Sequence, residues 1–233
     1  MRGQLRTPKL KTKRNSTLFG RLLFGLLAGL MLGISALSIF LLYDRTRERE
    51  MVRTSPFEVA GSATADGILA IDPPVDVPPF ELTDSYGDSA HLADFRGRHT
   101  LLTFGFTHCP DICPLTLNDF GRIQQLLGDI ADINFVFISV DGARDTPAAL
   151  RQYFEFRQFE AIYALTGDEA SVRAMGGPFG LSFQISQDSG SDDYLVNHTT
   201  GSFLLDQTGR WIKRYQFGVP PESIAADLRA LLG

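Results

Sequence analysis

Residues 22–43 are 22 consecutive side chains without a charge, most of them Leu, Gly, Ala, Ile or Phe. About 20 apolar residues, rising about 1.5 Å each, cross the roughly 30 Å hydrocarbon core of a bilayer. Core helices of globular domains are seldom apolar on every side over such a length. A cleaved secretory signal has an apolar region of about 7–15 residues and then a small-residue cleavage site. This run ends in Phe40-Leu41-Leu42-Tyr43-Asp44-Arg45, which offers no such site. It therefore reads as one uncleaved N-terminal transmembrane helix, and it divides the chain.

The flanking charges set an orientation. Residues 1–21 carry seven basic side chains (Arg2, Arg6, Lys9, Lys11, Lys13, Arg14 and Arg21) and no acidic one. The other 212 residues carry 15 basic and 27 acidic side chains. Residues 44–60 are balanced, with four of each sign. The Lys/Arg excess precedes the span, so the positive-inside rule keeps the basic tail (1–21) in the cytoplasm. The acidic remainder is expected across an inner membrane, in a bacterial periplasm or a mitochondrial intermembrane space. A net charge of −5 gives no footing for nucleic acid.

Residues 44–78 include Thr54-Ser55-Pro56, Gly61-Ser62-Ala63 and Asp72-Pro73-Pro74, and read as a flexible tether. A folded domain is expected over 79–233. With 44% hydrophobic and 21% charged residues the chain is not disordered overall. Its two cysteines exclude a disulfide-dense scaffold and an all-cysteine metal site. Apolar runs at 101–106 and 133–140 are too short for helices and read as buried strands. Residues 114–127 place Leu115, Leu117, Phe120, Ile123, Leu126 and Leu127 on a helix face, closed by Gly128. Asp145 or Thr146 caps a helix with Pro147 at its first position. A strand at 162–165, a short helix at 168–175, strands at 202–206 and 211–216, and a helix at 223–232 follow. This alternation predicts an α/β sandwich with a mixed sheet.

Both cysteines fall in Thr107-His108-Cys109-Pro110-Asp111-Ile112-Cys113-Pro114, after a strand and at the start of a helix. A helix N-terminus favours thiolate, the form that binds metal or attacks a disulfide. Three residues separate the sulfurs, so they can close a disulfide or aim at one soft metal ion. Two thiolates rarely complete a metal site, which asks for a third ligand. His91 and His99 lie in a polar stretch before the first strand and read as surface residues, and His108 adjoins Cys109. His198, in Val196-Asn197-His198-Thr199-Thr200, precedes a strand expected beside the cysteine helix, and is the candidate. The Ser-, Asp- and Gly-rich segment 186–193, together with Gly176-Gly177-Pro178, is read as a mobile approach that engages or releases His198. Asp141 and Asp145 read as a strand end and a helix cap.

Three ordered blocks carry a resemblance. The run from Phe104 to Pro114 closely resembles the signature of the Sco/SenC family, the copper chaperones of cytochrome c oxidase assembly. Val140-Asp141-Gly142-Ala143-Arg144-Asp145-Thr146-Pro147 is similar to the family's second block, and Tyr194-Leu195-Val196-Asn197-His198-Thr199 to its third. The resemblance covers about residues 79–233 and accommodates the anchor and tether. It implies a thioredoxin-like fold, and copper held by Cys109, Cys113 and His198, as Cu(I) with Cu(II) left open. It also implies a partner, the copper-receiving subunit of a haem–copper oxidase, at whose binuclear centre copper is delivered. The family often has Asp where Asn197 stands, which bears on how His198 is oriented and removes no ligand. Two thiolates and an imidazole suit Cu(I), whereas zinc takes a fourth ligand. A redox-active disulfide between Cys109 and Cys113 would compete with metal loading.

The competing expectation is a membrane-tethered thiol–disulfide oxidoreductase acting on oxidase or other periplasmic cysteines, served by a thiol reductant. Thioredoxin-type reductases carry two residues between the cysteines and a cis-proline before the next strand. Here there are three residues, and no proline from 196 to 203. A peroxiredoxin-type peroxidase ranks last, since Thr107 precedes Cys109 by two positions rather than three.

Overall fold

In the computed structural model the described residues are Met31, 66–128, 132–185, Tyr194 and 196–232. The basic tail, the apolar run at 22–43 apart from Met31, the tether up to 65 and the segment 186–193 lie outside them. Among the described residues no helix is long and apolar enough to cross a membrane.

The first strands in chain order are β1 (Ile68–Asp76), β2 (Glu81–Asp84), β3 (Ser89–His91), β4 (His99–Gly105), β5 (Ile133–Ser139) and β6 (Tyr163–Thr166). They are followed by β7 (Phe183–Ile185), β8 (Val196–His198), β9 (Ser202–Leu205) and β10 (Arg210–Tyr215). The helices are α1 (Ile112–Leu127), α2 (Pro147–Arg157), α3 (Glu169–Gly176) and α4 (Pro221–Leu232). Eight strands form one mixed sheet in the order β1-β10-β9-β4-β5-β6-β2-β3, and β7 and β8 form a separate pair. β4, β5 and β6 run parallel, joined through α1 and α2, and the outer strands pair antiparallel.

Layering explains why the central strands read as unbroken apolar runs. All seven residues of β5 are buried, as are all of β4 after His99. Strands covered on both faces show no alternation. On one face Leu101, Phe135, Leu204 and Tyr215 pack with Phe120, Ile123 and Leu127 of α1 and Ile224, Ala225 and Leu228 of α4. On the same face Phe137 and Ala164 meet Leu150 and Phe154 of α2. On the other face Phe104, Val136 and Ile138 pack with Val172 and Met175 of α3 and with Phe183 and Val196 of the small pair. The cysteine helix and the His198 strand thus approach the sheet from opposite faces.

The expected boundary at residue 79 is corrected for the last part of the tether. Residues 68–76 pair with β10, Ile68 opposite Tyr215 and Asp76 opposite Arg210. The prolines masked this strand. Pro73 and Pro74 fall in the gap where the register shifts between Ala70 and Val75, and an edge strand tolerates the lost donors. Ile71, at 3% exposure, joins the core. β2, β3, β7 and β8 were also not anticipated. Each spans only three or four residues, too few for a periodicity to show.

Candidate metal centre

The cysteine loop leaves the C-terminal end of β4 and turns directly into α1. The Cys109 N–H donates to the Phe106 carbonyl (3.2 Å), closing the turn. The Cys113 N–H, in the first turn of α1, donates to Cys109 Sγ (3.4 Å). Both cysteines are free thiols, Cys109 partly exposed and Cys113 buried. Gly105 makes room for them. A Cβ there would lie 2.9 Å from Cys113 Sγ and 2.6 Å from the Phe137 ring. No larger residue lets the buried sulfur sit so close to the strand.

From the other face β8 brings His198 to this point. Its Nε2 lies 3.7 Å from Cys113 Sγ. Its Nδ1 is 2.8 Å from the Thr199 carbonyl, an acceptor only, so Nδ1 carries the proton and Nε2 presents its lone pair to the sulfur. A metal ion holding one sulfur at about 2.3 Å and one imidazole nitrogen at about 2.0 Å keeps them about 3.5–3.8 Å apart. The observed separation fits. Asn197 stands opposite Gln184 in the β7–β8 register, and the Thr199 carbonyl fixes the imidazole. Among the described residues no three His, Cys, Asp or Glu side chains stand close enough together to hold a metal ion. Cys113 and His198 are in contact, while the Cys109 sulfur is engaged with the Cys113 amide.

The electrostatics correct one expectation. The helix N-terminus does not make Cys113 a ready thiolate. Burial pushes its thiol well above the ordinary range, and Cys109 and Asp145 add to this against a backbone hydrogen bond from Phe106. A cation bound beside Cys113 would reverse that preference. Burial also holds His198 below the usual imidazole range, so it stays neutral and able to ligate.

His108 is half-exposed, with Nδ1 3.1 Å from Thr107 Oγ1. His91 and His99 stand away from the cysteines, His91 on β3 and His99 at the opposite end of β4. His99 is partly rather than fully exposed where it opens β4, and burial lowers its pKa.

The sequence reading missed the polar groups beneath the loop. Thr146, not Asp145, caps α2, accepting from the Ala149 N–H (3.3 Å). Asp145 is fully buried and turns back under the cysteine loop. It accepts from the Thr107 N–H (2.9 Å), the Thr107 hydroxyl (2.5 Å) and the Ser139 hydroxyl (2.6 Å). Asp141, also buried, accepts from Arg144 Nε (2.6 Å) and the Tyr194 hydroxyl (2.6 Å). Two carboxylates, Asp141 and Asp145, directly after a buried strand were the available signal, since buried charges need partners.

Comparison with known proteins places the chain in a family. The SCO1/SenC family model matches residues 71–233. An SCO2-like protein of Rickettsia prowazekii is 34% identical over 148 residues, covering 63% of this chain and 72% of its own. The structure of Bradyrhizobium japonicum ScoI with copper bound superposes with a TM-score of 0.60 at 34% identity, over 66% of this chain and 98% of that one. Yeast Sco1 with copper bound gives 0.63 at 28% identity, over 67% and 88%. The fold is the thioredoxin-like α/β sandwich with a mixed sheet that these structures share.

Proposed function

The chain belongs to the SCO1/SenC family, and from that premise we propose that it binds copper and hands it to the binuclear copper centre of a haem–copper oxidase during assembly. Cys109, Cys113 and His198 are the ligands. The observation that carries this reading is the unprotonated Nε2 of His198 facing Cys113 Sγ at 3.7 Å, its other nitrogen fixed on the Thr199 carbonyl. Soft thiolates with one imidazole select Cu(I), and the partly exposed Cys109 leaves a side open for transfer to a partner. Loading asks Cys109 Sγ to turn from the Cys113 amide towards the metal. Residues 22–43 anchor the domain in an inner membrane, with residues 1–21 in the cytoplasm and the copper site in the periplasm or intermembrane space.

The test is an anaerobic Cu(I) titration of the reduced full-length chain against a competing chelator. One tightly held Cu(I) per chain is expected, with alanine at Cys109 or Cys113 abolishing tight binding. Wild-type protein that leaves all copper with the chelator contradicts the reading.

One observation favours thiol–disulfide exchange as a second activity. The partly exposed Cys109 sulfur accepts a backbone amide at the start of α1, within reach of a partner's disulfide. Rapid reduction of a small disulfide substrate by a chain that holds no copper would promote that activity to the first reading.

A further inference from the structure

The strand that carries His198 has little support of its own. β7 and β8 pair over three residues each and, among the described residues, join no other sheet, and an isolated two-stranded hairpin is marginal in water. The end holding His198 and Phe183 is fastened to α3, where Arg173 Nη2 donates to the Phe183 carbonyl (2.9 Å) and stacks 3.8 Å from its ring centroid. Tyr194, just before β8, makes a different attachment. Its hydroxyl donates to Asp141 Oδ1 (2.6 Å), and its ring lies 3.5 Å beneath the Arg144 guanidinium. Arg144 Nε donates to the other oxygen of the same carboxylate (2.6 Å).

This anchor is buried and reaches the ring of His198. Asp141 is 1% exposed, in a turn closed by the Arg144 and Asp145 amides donating to its carbonyl (3.1 and 2.9 Å). The Arg144 guanidinium also lies 6.0 Å from the Phe106 ring centroid, and Phe106 meets the His198 imidazole edge-on, centroids 5.9 Å apart. A continuous row of contacts therefore runs from the end of β5 through Arg144 and Phe106 to the ligand. We propose that Tyr194 and Arg144 are positioning residues that clamp the small hairpin to the end of β5 and so hold His198 over Cys113. The clamp rests on the copper-site reading above, since it acts through His198.

The test compares wild type, Tyr194→Phe and Arg144→Lys in the full-length chain. Phe keeps the ring under Arg144 and drops the hydroxyl. Lys keeps a charge for Asp141 and drops the planar stack. In the metal-free protein both variants are expected to speed hydrogen exchange at the amides of 196–199 and leave β4 and β5 unchanged. Cu(I) affinity is expected to fall about tenfold, the low end for groups that orient a ligand. In Tyr194→Phe/His198→Ala the copper loss should equal that of His198→Ala alone, because the clamp acts only through the histidine. Unchanged hairpin exchange in both variants, or additive copper losses in the double variant, overturns the clamp. A wild-type chain that binds no Cu(I) overturns the copper reading instead, and hairpin exchange then decides the clamp by itself.

Discussion

Cys113 and His198 are 3.7 Å apart yet are held by very different amounts of structure. Cys113 opens a 16-residue helix whose inner face is locked against the central strands and α4. His198 ends a three-residue strand in a sheet of two. The cysteine side is built to stay in place, and the histidine side is the one that motion or mutation reaches first. The pair reaches the core through Phe183 and Val196 but shares no ladder with the main sheet among the described residues, and less tightly held units open at lower free energy than the rest of the fold.

The sharpest break of that contrast is a paired truncation. Phe203, in β9 of the main sheet, is fully buried among Phe104, Phe179 and Trp211. Phe203→Ala is expected to cost about 3–5 kcal/mol in urea unfolding. Val196→Ala in the hairpin removes two buried methyl groups and is expected to cost about 1–2 kcal/mol. Equal losses would erase the distinction.

A fragment starting at residue 79 tests where the stable part begins. It discards β1 and with it the buried Ile71 and Val77, worth about 3 kcal/mol or more together. A fragment from 66 should match the full chain's folded domain in thermal unfolding, and the shorter one should melt well below it.

Gly105→Ala acts on the cysteine side alone. Its methyl meets Phe137 and the Cys113 sulfur, and an overpacked core position costs about 1–3 kcal/mol. Gly121 of α1 has open space at the same test, so Gly121→Ala should be neutral or stabilising by about 0.5–1 kcal/mol. Copper affinity should fall for the first and hold for the second.

The smallest expected effect is that of pH. Burial lowers the His198 pKa in the folded state. Its contribution to metal-free stability is therefore present above the ordinary value of 6.5 and is lost as the pH falls through the lowered one. Cys113 is shifted upward, so its contribution is present below the ordinary thiol value of 9.0 and is lost as the pH rises. Loading copper must displace the proton that burial keeps on Cys113, so Cu(I) affinity should climb with pH across the neutral range. A flat profile in a competition titration would mean that the thiol is already ionised.

What the sequence revealed follows the same division. The central strands and α1, α2 and α4 were legible because each buries enough residues for a pattern to appear, as with Phe120, Ile123 and Leu127 on α1. The cysteines were legible because their residue type and position after a strand already carry chemistry. β8 was not, since three residues hold no period, and His198 was placed through its neighbourhood to β9 and a family resemblance. Asp145 was misread as a cap because its partners Thr107 and Ser139 are brought together only by the parallel pairing of β4 with β5. Tyr194 lay in a quoted block, but its partner Asp141 is 53 residues away in the chain.

X-ray absorption on the Cu(I)-loaded full-length chain tests the convergence of the three ligands most directly. Two sulfur scatterers and one imidazole nitrogen per copper are expected, with the nitrogen lost in His198→Ala and both sulfurs retained. A wild-type spectrum with sulfur alone, unchanged by His198→Ala, would contradict the account.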